Sequence, residues 1–270
     1  MDNRPIGVFD SGVGGLTAVR ELRRILPAEN IIYFGDSGRA PYGGRPLRQI
    51  THIARQDAAF VAEKGVKAML VACGTMDSNA LSVIKGSVDV PVSGVVIPAA
   101  KAAAATTKNG RIGVIATEAT ARSDAFGKVL TDIDSSIISF TRACPLLVPM
   151  VEEGIARDDP RLQNALEAYL APLLDMGVDT LLLGCTHYPL LKDAIGGFMG
   201  SGVALVDSGA EGARSVARHL AEHNLLCDGR GEQHGEYYTS GDERAFAYIA
   251  ELFLGEDVAG SIHPVAPFIL

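Results

Sequence analysis

Tryptophan is absent from this sequence of 270 residues, and the other aromatic residues are so few that aromatics make up 6% of the chain. Such a chain offers little for stacking against nucleic-acid bases. Acidic residues outnumber basic ones, the net charge is −8, and the basic residues are scattered. We therefore expect neither nucleic acid nor an anionic membrane as a general partner, although a local pocket can still bind a small acidic molecule.

Long hydrophobic runs and targeting signals are also missing. No apolar stretch is long enough to span a bilayer. The first residues, "MDNRPIGVFDSG", lack the charged region and extended apolar segment of a signal peptide. We therefore expect a cytoplasmic protein without membrane association. With 47% hydrophobic residues, the chain can bury one large core or two smaller ones.

Cysteine is scarce, and its spacing argues against two common roles. The four cysteines are Cys73, Cys144, Cys185 and Cys227, and no two of them form a CxxC pair. We expect free thiols rather than disulfides in such a chain. We expect no metal, because no ligand pair has the usual zinc spacing. A buried, inert role is the simplest interpretation of Cys144 and Cys227.

Short apolar runs rich in β-branched residues alternate with longer amphipathic segments. The predicted strands are Ile6–Phe9, Ile31–Gly35, Ala68–Ala72, Val92–Val95, Arg111–Ile115, Ile137–Phe140, Thr180–Leu183 and Ala204–Val206. The predicted helices include Leu16–Ile25, Ile50–Lys64, Asp124–Val129, Pro160–Met176 and Gly212–His223. This alternation predicts an α/β fold of parallel sheets covered by helices. The residues just beyond each strand are then the candidates for a site.

Three segments of the first part of the chain recur in the same order in the second. "GVKAMLVACGT" matches "GVDTLLLGCTH" without a gap, so that Cys185 lies 112 residues after Cys73. "IGVFDSG" matches "IGVIATE", and "NIIYF" matches "SIISF", both 106 residues apart. Similar buried strands could explain one match, but three in order favour an internal duplication into two α/β lobes. The tail from Gly235 reads as a strand, a turn and a helix, which we expect to pack on the first lobe.

The duplication predicts that Cys73 and Cys185 face one cleft from opposite sides, each at the end of the third strand of its lobe. Two such thiols can act as a two-base system, in which one removes a proton from carbon and the other returns a proton to the opposite face. A free thiol titrates near pKa ~8.5, so a modest shift serves either role. Zinc ligation is an alternative that the ligand spacing disfavours. A nucleophile–base pair of one cysteine with His187 is another, but the repeated cysteine would then have no purpose.

The stretch "VFDSGVGGLT" predicts a strand, a glycine-rich turn and a helix. Its Gly12 and Gly14 begin a dinucleotide fingerprint that is incomplete, and no lysine follows as in a Walker A loop. Backbone N–H groups at the helix start suit a carboxylate. Asp10 is then a partner for a substrate ammonium group or an acid–base helper of Cys73, unless it only caps the helix.

Further polar residues follow other predicted strands. Tyr42 and the backbone at Gly43 could line a pocket, although most such loops do no chemistry. The hydroxyls of Thr117 and Thr120 could bind a carboxylate or cap a helix. In "VPMVEEG", either Glu152 or Glu153 could assist a base of the second lobe, and solvated loop acids are the default interpretation.

Taken together, these stretches resemble the glutamate racemase family of the aspartate/glutamate racemase superfamily. The resemblance rests on "GVFDSGVGGLT", "YFGDSGRAPYG", "CGT", "VPMVEEG", "LLGCTHYPLL" and "YTSGD", which occur in order along almost the whole chain. It implies a cofactor-independent isomerase that interconverts L- and D-glutamate and supplies D-glutamate for peptidoglycan. It also implies two α/β domains related by a pseudo-twofold axis, with the active site in the cleft between them. We expect residues 1–97 with 208–270 to form the first domain and 98–207 the second, and we consider a homodimer.

The resemblance also implies roles for single residues. Cys73 corresponds to the base for D-glutamate, and Cys185 to the base for L-glutamate. Asp10 would assist the first thiol, and Glu152 and His187 the second. The implied substrate-binding positions are Asp10, Ser11, Tyr42, Gly43, Gly74, Thr75, Thr117, Thr186 and His187, to which the helix-start argument adds Thr120.

One stretch departs from the family pattern. Members usually read Cys-Asn-Thr followed by small residues, whereas this chain reads "CGTMDSN". Gly74 has no side-chain amide, so that contact is lost or replaced, and the direction of Asp77 is open. The alternatives are an aspartate racemase or a related two-thiol racemase of another small acid, a pyridoxal-phosphate racemase and a non-catalytic binding protein. Lys101 lacks a phosphate-binding context, and a binding protein has no need of two matched thiols.

Overall fold

The computed structural model describes residues 1–229 and 234–266. Within them, the strands form two parallel sheets, one of six strands and one of four. The strands are β1 Ile6–Asp10, β2 Ile31–Gly35, β3 Ala68–Val71, β4 Val92–Ser93, β5 Arg111–Ala116, β6 Ile138–Ala143, β7 Thr180–Leu183, β8 Ala204–Asp207, β9 Gly235–Thr239 and β10 Ile262–Pro264. All eight strands predicted before residue 208 are present, and the predicted α/β class with two parallel sheets is confirmed.

Helices cover the sheets. They are α1 Leu16–Ile25, α2 Leu47–Glu63, α3 Gly74–Lys85, α4 Val96–Thr106, α5 Glu118–Ser123, α6 Ala125–Ile133, α7 Leu147–Glu152, α8 Pro160–Asp175, α9 Lys192–Met199, α10 Ser208–Glu222 and α11 Glu243–Leu254. Local chemistry sets several starts. The carboxylates of Asp207 and Asp242 accept hydrogen bonds from the backbone N–H groups of Ala210 and Ala245, which satisfies N–H groups that have no partner inside the helix.

The two sheets share one strand order. The first runs β10-β9-β2-β1-β3-β4 and the second runs β6-β5-β7-β8, so the order of the first four strands of each lobe is the same. Ile6 of β1 pairs with Ala68 of β3, and Ile112 of β5 pairs with Thr180 of β7, as the repeat offsets require. Strand β6 pairs with β5 in a register that differs by two residues from that of the equivalent pair β2 and β1. A shift of two residues keeps each side chain on the same face of the sheet.

The tail returns to the first sheet. Strand β9 pairs with β2 from Ile31↔Gly235 to Gly35↔Thr239, and α11 packs against α1. We call the six-stranded sheet with its helices the first lobe and the four-stranded sheet with its helices the second lobe. This pairing fits the predicted first domain of residues 1–97 with 208–270, although the boundaries themselves stay a prediction. Residues 230–233 and 267–270 of that domain lie outside the described residues.

The central strands are buried on both faces. Strands β1, β3 and β7 are buried along their whole length, as expected for parallel strands covered by helices on both sides. One charged pair also lies inside: Lys67 Nζ is 2.5 Å from Glu29 Oε2, and both side chains are almost fully buried. In the described part of the chain, no helix is long and apolar enough to cross a membrane.

Candidate active site

A cavity of about 570 Å³ lies between the two lobes, at the carboxyl ends of their strands. Both lobes contribute to its wall, and most residues predicted for the site meet here. Those that line it are Ser11, Tyr42, Gly43, Cys73, Gly74, Thr75, Thr117, Glu152, Cys185, Thr186 and His187. The expected convergence of one cysteine from each lobe is therefore present in the structure.

The first wall carries Cys73, which lies between β3 and α3 at the residue before the first turn of α3. Its side chain is 4% exposed, and its thiol donates to Ser11 Oγ at 3.5 Å. Burial and the nearby carboxylate of Asp10 raise the pKa of the Cys73 thiol to about 12. Cys73 is therefore held as a protonated thiol at neutral pH.

The second wall carries a chain of three polar side chains. Cys185 Sγ lies 3.8 Å from His187 Nδ1, and His187 Nε2 lies 3.0 Å from Glu152 Oε1. Burial would lower the pKa of His187, but its hydrogen bonds with Cys185 and Glu152 and the negative charges around it outweigh burial and raise the pKa to about 10. His187 is therefore an imidazolium at neutral pH, and a neighbouring cation stabilises a thiolate. Glu153 points elsewhere and pairs with Arg161 at the surface.

Asp10 lies one layer behind the cavity wall. It is buried, its Oδ1 accepts from the N–H of Gly12 at 2.9 Å, and its Oδ2 accepts from the hydroxyl of Thr186 in the other lobe at 3.3 Å. Burial raises the pKa of Asp10, against the opposing effect of His187 and these hydrogen bonds. Asp10 thus connects the glycine turn of the first lobe with the segment that follows Cys185.

Hydroxyl groups link the lobes on another side of the cavity. The Oγ1 atoms of Thr75 and Thr117 lie 2.9 Å apart across the cleft. Thr120 does not line the cavity: its N–H bonds Thr117 Oγ1, and its hydroxyl accepts from Thr117 and Ser78. The expectation that Thr120 touches substrate therefore does not fit its position, because its N–H donates to the capping hydroxyl of Thr117 and its own hydroxyl accepts from Thr117 and Ser78.

Tyr42 is held by a buried charged network. Its hydroxyl donates to the carboxylates of Asp36 and Asp57, and Arg39 pairs with Asp36 and Asp57 at 2.6 Å each. Burial and the neighbouring Asp36 raise the pKa of Asp57 well above its usual range. The network fixes the loop that presents Tyr42 and Gly43 to the cavity.

Two features of the site were not anticipated. Cys144 lines the cavity, although its sequence neighbours gave no sign of it. The signal available was its position directly after β6, at the same sheet edge as Cys185. Asp77 turns away from the cavity, and its Oδ2 accepts from the N–H groups of Val95 and Val96 at 2.5 and 2.6 Å. Burial, opposed by these bonds, raises the pKa of Asp77 to about 6.

The fold and this cavity define a class: a two-lobed α/β isomerase with Cys73 on one wall of its cleft and Cys185 on the other. The family model described as Asp/Glu/Hydantoin racemase matches residues 7–216. This protein belongs to that racemase family. Among its described residues, no group of three or more His, Cys, Asp or Glu side chains is placed to hold a metal ion.

Similar proteins carry consistent names. The chain is 42% identical over 266 residues to a glutamate racemase of Geobacter metallireducens, covering 98% of each chain. It superposes with a TM-score of 0.93 on glutamate racemase isoform RacE1 of Bacillus anthracis, at 36% identity and 99% coverage of each chain. It superposes with a TM-score of 0.91 on a Francisella tularensis glutamate racemase in complex with D-glutamate, at 34% identity and 99% coverage of each chain. An aspartate racemase of Picrophilus torridus shares 15% identity at a TM-score of 0.55, over 82% of this chain and 99% of that one, which shows a shared fold alone.

Proposed function

We propose that this protein interconverts L- and D-glutamate without a cofactor, by moving protons between the substrate α-carbon and two thiols. The observation that carries the proposal is that Cys73 and Cys185 line one cavity from opposite lobes in different electrostatic settings. A buried thiol beside a carboxylate favours the protonated acid, whereas a thiol beside an imidazolium favours the thiolate base. We assign the acid role to Cys73 and the base role to Cys185.

The resting state is suited to conversion of the L enantiomer. The Cys185 thiolate removes the α-proton, so that the C–H bond breaks, an S–H bond forms and the electron pair stays on the α-carbon. The Cys73 thiol then gives its proton to the opposite face, which forms the C–H bond of the D enantiomer and leaves a Cys73 thiolate. The protein ends with its two thiols in exchanged protonation states. It returns to rest by exchange with solvent or by running the reaction in reverse.

Backbone groups and hydroxyls near the thiols are suited to hold the substrate. Gly74 and Thr75, the first residues of α3, line the cavity at the positive end of a helix of 12 residues. That end attracts a carboxylate. We assign the other carboxylate of the substrate, or its ammonium group, to the hydroxyls of Ser11 and Thr186. Asp10 does not line the cavity, and it positions Thr186 and the glycine turn through its hydrogen bonds with them.

Glutamate is favoured over aspartate by relatedness rather than by the dimensions of the cavity. The similar proteins of at least 34% identity carry the name glutamate racemase, while the aspartate racemase is distant. We also propose that the protein acts in the cytoplasm and supplies D-glutamate for peptidoglycan. A homodimer remains a prediction that light scattering on the purified protein tests.

The test is incubation of purified, metal-free and cofactor-free protein with L-glutamate in deuterated water. Circular dichroism follows the loss of optical activity, and mass spectrometry follows α-deuteration. We expect both signals in the wild-type protein and in Cys227→Ser, because Cys227 does not line the cavity. Cys73→Ser and Cys185→Ser should lose racemisation in both directions and retain at most α-proton exchange from one enantiomer.

Three other outcomes would contradict the mechanism, the substrate or the function proposed here. Near-normal turnover in either active-site variant would refute the two-thiol mechanism. Activity with aspartate and none with glutamate would change the proposed substrate to aspartate and leave the family unchanged. No signal with either acid would refute the proposed function.

A further inference from the structure

The tail of the chain contacts a loop that forms one side of the cavity. Strand β9 ends at Thr239, and the hydroxyl-bearing residues of "YTSGD" at this point hydrogen-bond to the loop of residues 36–46, between β2 and α2. The same loop carries Tyr42 and Gly43 into the cavity wall. Within the described residues, the equivalent strand β6 of the second lobe is the edge of its sheet. The tail is therefore an addition to the duplicated fold, and it lies directly behind a wall of the site.

Ser240 makes three hydrogen bonds at the start of this loop. Its hydroxyl donates to Asp36 Oδ1 at 2.6 Å and accepts from the N–H of Gly38 at 3.0 Å. Its backbone N–H donates to the carbonyl oxygen of Gly35 at 3.3 Å. Ser240 is buried, so water does not easily replace these bonds. A hydroxyl that donates and accepts at the same time fixes its two partners relative to each other.

Asp36 connects Ser240 with Tyr42. Its Oδ2 accepts from Arg39 Nε at 2.6 Å and from the Tyr42 hydroxyl, while its Oδ1 accepts from Ser240. Asp36 is fully buried, and a buried carboxyl group needs hydrogen-bond partners for both of its oxygens. Without the Ser240 hydroxyl, the carboxyl group of Asp36 can turn toward other donors. The hydroxyl of Tyr42 must then follow it or lose its partner.

The far end of the loop reaches the second lobe. The carbonyl oxygen of Gly43 accepts from Arg122 at 3.4 Å, and a β-carbon on Gly43 would lie 3.3 Å from the β-carbon of Thr117. The loop thus extends from the tail, past the buried network, to the second lobe. A displacement of Tyr42 therefore changes this side of the cavity without moving either thiol.

We propose that Ser240 is a positioning residue for substrate binding, because it holds the carboxyl group of Asp36, which in turn holds Tyr42 and Gly43 at the cavity wall. The inference rests on the proposed function and adds the tail to the site. The loop supplies neither the acid nor the base. Its displacement should therefore weaken the binding of substrate and transition state alike, which raises KM and leaves kcat unchanged.

The kinetic test compares Ser240→Ala with Ser37→Ala. The hydroxyl of Ser37 lies 2.7 Å from that of Thr239, so Ser37 belongs to the same contact between loop and tail but bonds Thr239 in place of Asp36. In Ser240→Ala, KM for both enantiomers should rise about tenfold, the equivalent of one buried hydrogen bond, and kcat should stay within about threefold. Both constants of Ser37→Ala should stay within about twofold of the wild type.

The split between KM and kcat separates positioning from a general defect. A folding defect lowers the amount of active protein, and with it the apparent kcat, and leaves KM as it was. Thermal unfolding of both variants shows whether their stabilities match. An unchanged KM in Ser240→Ala would overturn the inference, as would an equal rise of KM in Ser37→Ala.

A further pair of variants tests the route through Asp36. Tyr42→Phe removes the hydroxyl that shares this carboxyl group with Ser240. Because the two hydroxyls act through one group, Ser240→Ala should raise KM severalfold less in the Tyr42→Phe background than in the wild type. Additive effects on KM would show that Ser240 acts independently of Tyr42, and would overturn the inference.

A second readout does not depend on glutamate. Hydrogen–deuterium exchange followed by mass spectrometry reports on the backbone N–H groups of residues 36–46. The loop should exchange severalfold faster in Ser240→Ala, because the N–H of Gly38 loses its acceptor, while peptides from α8 in the second lobe should exchange as in the wild type. Unchanged exchange of the loop refutes the inference. If the wild type fails to racemise glutamate, the proposed function fails, and this experiment still decides whether Ser240 holds the loop.

Discussion

Replacing Glu152 with glutamine should lower the pKa of His187 and move the alkaline limit of activity. Glu152 Oε1 lies 3.0 Å from His187 Nε2, and this hydrogen bond is one cause of the raised His187 pKa of about 10. A hydrogen bond to a charged group contributes roughly 1.5–3 kcal/mol. The Glu152 side chain is 42% exposed, so solvent screens the interaction. We therefore assign it about 1.4 kcal/mol, which is about one pKa unit.

The sign of the effect follows from the same geometry. A histidine with a raised pKa keeps its proton, and the stability of the charged pair, until the pH rises through that pKa. In Glu152→Gln, the pKa of His187 should fall, by about the one pKa unit assigned to the lost hydrogen bond. His187 then stays charged at pH 7, so kcat there should change less than about threefold, whereas near pH 9.5 the variant should lose most of its activity relative to the wild type.

The assay is kcat for L-glutamate from pH 6 to pH 10.5, with ¹³C-labelled histidine to follow the His187 ring directly. The substrate ammonium group titrates equally for both proteins and cancels in their ratio. The matched control is Glu153→Gln, because Glu153 pairs with Arg161 at the surface and should leave the profile unchanged. Identical alkaline limits in all three proteins would refute the reasoning. A loss above 100-fold at pH 7 would show that Glu152 acts on the substrate itself.

Three further predictions concern stability. Thr17→Val removes a hydrogen bond of 3.0 Å to the carbonyl of Thr186 in the other lobe and should cost about 1 kcal/mol in urea unfolding. Asp77 has a raised pKa of about 6, so its protonated form stabilises the fold; this contribution is complete below its unfolded pKa and is lost as pH rises through 6. Between pH 4.5 and 7.5 the wild type should lose about 2 kcal/mol relative to Asp77→Asn. Lys67→Met removes the cation beside buried Glu29 and should cost about 3–5 kcal/mol, much of which Lys67→Met/Glu29→Gln should restore; thermal unfolding tests both.

The sequence predicted the strands and the α/β class well, because buried parallel strands form short, continuous apolar runs. The repeat offset predicted that Cys73 and Cys185 end equivalent strands, and the pairing of β1 with β3 and of β5 with β7 follows that offset. Helix α3 was not among the predicted helices. Its first turn, "GTMD", combines a glycine with polar residues. In the structure this turn is buried, and Asp77 accepts hydrogen bonds from the N–H groups of Val95 and Val96.

The partners of single side chains could not be read from the sequence. Glu152 and Glu153 are adjacent, and the end of α7 at Glu152 decides which of them faces His187. The direction of Asp77 depended on where α4 begins in space. Cys144 was interpreted as inert, because the predicted strand ended at Phe140, whereas β6 extends to Ala143 and places Cys144 directly at its end. Such contacts depend on how elements distant in the chain pack together.

The return of the tail to the first sheet has a consequence for synthesis on the ribosome. The second sheet is complete once residue 207 has emerged, whereas the first sheet lacks β9 until residues 235–239 follow. During that interval, the outer edge of β2 has no neighbour, and an open strand edge invites pairing with other chains. In a nascent chain, the lobe that carries Cys185 can thus assemble first, and the lobe that carries Cys73 becomes secure only after residues 235–239 have emerged.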